Sequence, residues 1–105
     1  MDDPARTYDR ATFLFETKGY AEAAVLFAEL VEAEPGHLEL QLMLARSYYH
    51  SAQLGRAEEV LRPLLERWPT EAYAHLLLAR TLQRAGRAEE GRQHLLLAEA
   101  MGLTE

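Results

Sequence analysis

Leu44-Ala45-Arg46-Ser47-Tyr48 returns 34 residues later as Leu78-Ala79-Arg80-Thr81-Leu82, with its apolar and basic positions in register. The same interval joins Ala11, Ala45 and Ala79, then Leu14, Tyr48 and Leu82. It also joins Ala23, Ala57 and Gly91, then Phe27, Leu61 and Leu95, and finally Pro35 and Pro69. A fixed period in this range marks one supersecondary unit copied and stacked, because a single unit cannot bury its own apolar face. Three units of 34 occupy 102 of the 105 residues, so the chain reads as one domain with repeats at about 4–37, 38–71 and 72–105.

Caps and breakers divide each unit into two helices. Asp3 before Pro4 offers a side-chain acceptor followed by a residue whose missing N–H costs nothing at a helix start. Helices are expected at about Pro4–Thr17, Tyr20–Glu34, Leu38–Ala52, Gly55–Arg67, Glu71–Ala85 and Ala88–Met101. Lys18-Gly19, Pro35-Gly36, Pro69 and Gly86 punctuate them, Thr70 caps the fifth, and Gly102 closes the sixth. Pro63 falls inside the fourth helix, where losing the bond to Glu59 costs about 3 kcal/mol. The flanking Val60, Leu61, Leu64 and Leu65 stay helical in pattern, so a kink is expected there and not a break. The string Gly-Arg-Ala-Glu-Glu occurs at 55–59 and again at 86–90, a spacing of 31 that is out of phase with the main period.

Leu44-Ala45 with Tyr48, Ala57, Leu61 and Pro69 resembles the tetratricopeptide repeat, and the third copy follows with Leu78-Ala79, Leu82, Gly91 and Leu95. The first keeps Ala11, Leu14, Ala23, Phe27 and Pro35, with Arg10 where an aliphatic is usual. Thr7, Gln41 and His75 stand where the family usually has an early aromatic. The resemblance implies an all-α, right-handed α-solenoid of three helix–turn–helix repeats, six helices in all. It further implies that the first helices line a concave face and the second helices form the outside.

Composition narrows the function classes. Apolar residues make up 49% and charged residues 27%, the values of a folded globular protein. There is no cysteine, which excludes disulfides and thiolate metal sites. The acidic start Met1-Asp2-Asp3-Pro4 lacks the basic and apolar regions of a secretion signal, and a cytoplasmic location with no membrane partner is the expectation. The formal charge of −6 is concentrated at residues 1–37, which hold eight acids against three bases. An acidic chain is poorly suited to neutralising phosphates, so nucleic acid is not the expected partner. Lys18 is the single lysine, and Ile and Asn are absent, a bias of the kind a GC-rich bacterial genome produces.

Residues four apart share a helix face. Applied to the first helices, this places Tyr8, Thr12, Phe15 and Glu16 of the first repeat in the groove that the resemblance implies. Leu42, Arg46, Tyr49 and His50 follow from the second repeat, and Tyr73, Leu76, Arg80, Gln83 and Arg84 from the third. Arg46 and Arg80 are equivalent, with His50 and Arg84 one turn further on. Arginines flanked by aromatics suit a protein or peptide segment carrying carboxylates, or an amphipathic one. Since an exposed charge pair is worth only ~0.2–1 kcal/mol, Phe15, Tyr49 and Tyr73 would have to bury apolar surface as well.

The last helix holds Leu95, Leu96, Leu97 and Met101, with Leu103 beyond it. Three consecutive leucines cover more than one face of a helix. No polar cap is expected after Gly102, and self-association through this helix, most simply as a two-fold homodimer, is the expectation. No enzyme, metal or cofactor is expected. His37, His50, His75 and His94 lack metal-ligand spacing, and Ser47 and Ser51 have no acid–base partner fixed by sequence. The leading function is therefore a protein-interaction scaffold. The alternatives are a small acidic helical-repeat chaperone for one client, as in bacterial secretion, an RNA-contacting module using Arg46, Arg80 and Arg84, and a purely structural homo-oligomer.

Overall fold

A computed structural model describes residues 3–103. They form six helices: α1 (Pro4–Glu16), α2 (Tyr20–Ala33), α3 (Leu38–His50), α4 (Leu54–Arg67), α5 (Ala72–Arg84) and α6 (Ala88–Ala100). Two compact units, Met1–Gln53 with α1–α3 and Leu54–Glu105 with α4–α6, divide the chain.

In the first unit α2 packs against both α1 and α3. Ala11, Ala23, Ala24 and Ala45 are buried at this junction with Phe27, Leu30, Leu40 and Leu44. Small side chains let the helix axes approach, and Phe27 fills the space between them. In the second unit α5 is the central helix, packed on α4 and α6, and every residue from Ala74 to Ala79 is buried. Ser47 and Thr81 are buried polar residues 34 apart in equivalent places. Each hydroxyl donates to the carbonyl four residues back, Met43 and Leu77, at 2.8 Å. Neither is left unsatisfied.

The expected caps hold at both ends of the chain. The Asp3 carboxylate accepts from the Ala5 N–H at 3.1 Å, with Pro4 in the first turn. Gly102 follows α6 at φ +93, and Leu103 N–H reaches back to the Ala98 carbonyl at 3.1 Å. The same closing turn ends α1, α3 and α5. Lys18 (φ 67), Ala52 (φ 61) and Gly86 (φ 83) lie 34 apart in left-handed conformation. The next residue in each case, Gly19, Gln53 and Arg87, donates to Leu14, Tyr48 and Leu82. This is the Schellman arrangement.

Most helix ends that differ from expectation do so by a single residue, and two of the differences have a clear local cause. α3 ends at His50 and not at Ala52, because Ala52 turns left-handed to close the motif. α5 is entered through Glu71, whose N–H donates to the Trp68 carbonyl at 3.1 Å; Thr70 sits in the turn and does not cap. α4 runs unbroken through Pro63.

Candidate functional site

In the first unit the ends of α1 and α3 and the start of α2 bring four of the expected residues together. The Arg46 guanidinium lies over the Phe15 ring at 4.8 Å, a cation–π distance. His50 meets Phe15 edge-on at 5.9 Å and Tyr49 at 5.4 Å. The cluster contains a residue the face arithmetic does not reach: Tyr20, at the start of α2, stacks on His50 at 4.7 Å and meets Phe15 at 5.1 Å. Arg46 also donates from Nη1 to the Met43 sulfur at 3.4 Å. The result is a half-exposed patch of aromatic rings with a guanidinium laid across it.

Other candidates fall elsewhere. Tyr8 turns towards α2 and meets Phe27 edge-on at 6.3 Å. Thr12 is half-buried, and Glu16 is exposed. Leu42 and Leu76 are only 7% and 8% exposed, so they serve as packing residues and offer almost no surface to a ligand. In the second unit Tyr73 and Arg80 are half-buried, whereas Gln83 and Arg84 are exposed at the end of α5. On α6, Leu96, Leu97 and Met101 are 58%, 45% and 39% exposed, and Leu95 and Leu103 are half-buried.

The out-of-phase Gly-Arg-Ala-Glu-Glu strings have a physical use. Arg87 of the second string bridges Glu58 of the first and Glu90 of its own, at 2.7 Å each. Arg62 bonds the same two carboxylates, Glu58 at 2.7 Å and Glu90. The four charges close a ring of alternating sign that ties α4 to the start of α6. Burial pushes the Glu58 carboxyl up, but the hydrogen bonds from Arg62 and Arg87 outweigh it and hold the group below the usual range. Hydrogen bonds from the same two arginines hold Glu90 down as well.

His75 and His94 are engaged with each other and with the chain turn before α5. The His75 Nε2–H donates to the Pro69 carbonyl at 2.9 Å, which leaves Nδ1 as an acceptor. The His94 Nδ1–H donates to it at 3.1 Å, with the two rings stacked 5.4 Å apart. Burial lowers the His94 pKa first, and electrostatic interaction with His75 and Arg62 lowers it further against an opposing pull from Glu90. One repeat earlier, the Gln41 side-chain amide donates to the Pro35 carbonyl in the same way. Gln41 and His75 are two of the three residues standing where an early aromatic was expected, and both clamp the prolyl turn before their helix. Among the described residues, no three His, Asp or Glu side chains gather as metal ligands, and no helix is long and apolar enough to cross a membrane.

No curated protein matches the sequence. Among solved structures, MamA (MSR-1) superposes with a TM-score of 0.88 at 18% identity, covering 95% of this chain and 57% of that one. A chain titled "CopN-Scc3 complex" gives 0.85 at 19%, covering 97% and 60%. The type III secretion translocator chaperone SycD of Yersinia enterocolitica gives 0.86 at 18%, covering 97% and 76%. The chain thus spans little more than half the length of MamA, and at these identities the likeness is one of fold. The tetratricopeptide repeat family model matches residues 14–73, more than half of the sequence. With six helices, a 34-residue period and turns that recur at that period, the chain belongs to the tetratricopeptide repeat family.

Proposed function

We propose that this protein is an interaction module that holds a polypeptide segment against the patch formed by Phe15, Tyr20, Arg46, Tyr49 and His50. One observation carries the reading. The Arg46 guanidinium lies over the Phe15 ring at 4.8 Å beside an exposed histidine, which puts apolar area and positive charge on one surface. Rings of this kind bury area at little cost in conformational entropy, and a guanidinium recognises a carboxylate through paired N–H donors. An acidic or amphipathic segment answers both features. Pull-down from native lysate with wild type and with Arg46→Glu plus Tyr49→Ala tests it. A client lost by the double variant at unchanged helicity supports the patch; equal recovery rejects it.

A second reading is favoured by α6. Leu96, Leu97 and Met101 expose apolar surface on one helix, and burying a leucine gains ~1.5–3 kcal/mol. A second copy covering this face would give a homodimer. Sedimentation that finds a monomer at high micromolar concentration rejects it. SycD is named as a translocator chaperone; a chaperone role here would show as one stoichiometric client that aggregates without this protein. No catalytic role or cofactor is proposed.

A further inference from the structure

At the other end of α1 and α3 from the aromatic patch, the first unit holds a cavity of about 520 Å³. Its apolar surface comes from the exposed Tyr8 ring and half-buried Met43, over a floor of Leu30 and Leu40 that are only 7% and 4% exposed. Its charged lining is Asp9, Glu34 and Glu39, with His37 beside them. His37 Nδ1 accepts from the Leu40 N–H at 3.3 Å. No arginine or lysine is among the lining residues. Glu34 is also the C-cap of α2, so the carbonyl end of that helix adds to the negative field. The opposing helix starts are already served, α1 by the Asp3 carboxylate and α3 by the His37 ring.

We infer that this cavity docks a polypeptide segment in which arginine or lysine adjoins aliphatic or aromatic residues. The chemistry selects that occupant. A purely apolar segment would strip water from three carboxylates without pairing them, a cost that burial of carbon does not offset. An acidic segment is repelled by all three. A small cation would leave the apolar surface of Tyr8 and Met43 wet. A basic side chain lays its methylenes along such a surface and delivers its charge to the rim, and the volume accommodates a few side chains. The site therefore has the opposite charge preference to the Arg46 patch and does not depend on it.

The test uses the whole chain and two short labelled peptides, one alternating arginine with leucine and the other its glutamate-for-arginine counterpart, read by fluorescence anisotropy. The arginine peptide is expected to bind saturably, more weakly as salt rises, and the glutamate peptide not at all. Glu34→Lys plus Glu39→Lys, both at exposed positions, should weaken the arginine peptide by about tenfold or more and admit the glutamate peptide. Glu34→Gln plus Glu39→Gln should weaken the first without admitting the second, and Arg46→Glu should change neither. Four binding results overturn the proposal. They are no saturable binding of the arginine peptide, equal affinity after the charge swap, loss of binding on Arg46→Glu alone, and binding that emerges only once residues 1 and 2 are removed. Charge-swapped protein that instead loses self-association in sedimentation would give the cavity to a second copy, and that too overturns it.

Discussion

Adding one methyl group at Gly91 should destabilise the protein, although the same change in an open helix stabilises it. A Cβ built at Gly91 would stand 2.8 Å from the Ala79 carbonyl oxygen, 3.1 Å from Gln83 Cγ and 3.3 Å from Leu82 Cβ. The glutamine can swing away. The carbonyl belongs to the backbone of α5, so α6 itself must move. Overpacking of this kind costs about 1–3 kcal/mol, while alanine over glycine in a helix returns about 1 kcal/mol. With a rigid backbone atom as the obstacle, the upper part of the range applies, and the net loss for Gly91→Ala is about 1–2 kcal/mol. That lowers Tm by roughly 4–12 °C for a domain of this size. Gly55, near the start of α4, has nothing within 4 Å of its would-be Cβ, so Gly55→Ala should gain about 0.5–1 kcal/mol. Urea titration followed by circular dichroism compares the two. If Gly91→Ala is as stabilising as Gly55→Ala, α5 and α6 are not packed this closely and the reasoning fails.

Ala52 holds a left-handed conformation that costs an L-residue about 1–2 kcal/mol. After the extra entropy of glycine in the unfolded chain, Ala52→Gly should raise stability by about 0.5–1 kcal/mol, and a drop in the urea midpoint would refute this. His75→Gln should retain the clamp on Pro69, as Gln41 does on Pro35. His75→Leu should lose about 0.5–1.5 kcal/mol by removing the hydrogen bond to the Pro69 carbonyl, so equal midpoints for the two variants would contradict the clamp. The folded-state pKa of His94 is depressed, with His75, Arg62, Glu66 and Glu90 around it. The unfolded chain therefore binds a proton first. This contribution is fully present above about pH 6.5 and is lost as pH falls from there through the folded value. The drop in urea midpoint between pH 7.5 and 5.5 should shrink in His94→Gln; an undiminished drop would clear His94 of the effect.

The architecture was legible because a 34-residue period constrains many positions at once, and no single residue has to be read correctly. Ala52 shows the limit of reading one helix at a time. Alanine carries no preference for a left-handed turn, and only its alignment with Lys18 and Gly86 gives it away. Leu42 and Leu76 were placed on a binding face by spacing within one helix, but their burial depends on what packs over that helix. Tyr20 was missed for the converse reason. It starts a second helix, and only the packing of helix on helix lays its ring on His50. The repeated Gly-Arg-Ala-Glu-Glu string was visible as an oddity of phase. Its meaning emerged when Arg87 was found between Glu58 and Glu90, because ion pairing between helices leaves no fixed interval in the chain.

The direct test of the binding account is photo-cross-linking in cells from single sites carrying a benzoylphenylalanine. At Tyr49, inside the aromatic patch, the probe should trap a discrete protein adduct that Arg46→Glu abolishes. At Val25, an exposed apolar residue on α2, it should trap none. Adducts of equal yield at both sites, or none at Tyr49 with the protein folded, would contradict the claim that this patch is where a polypeptide is held.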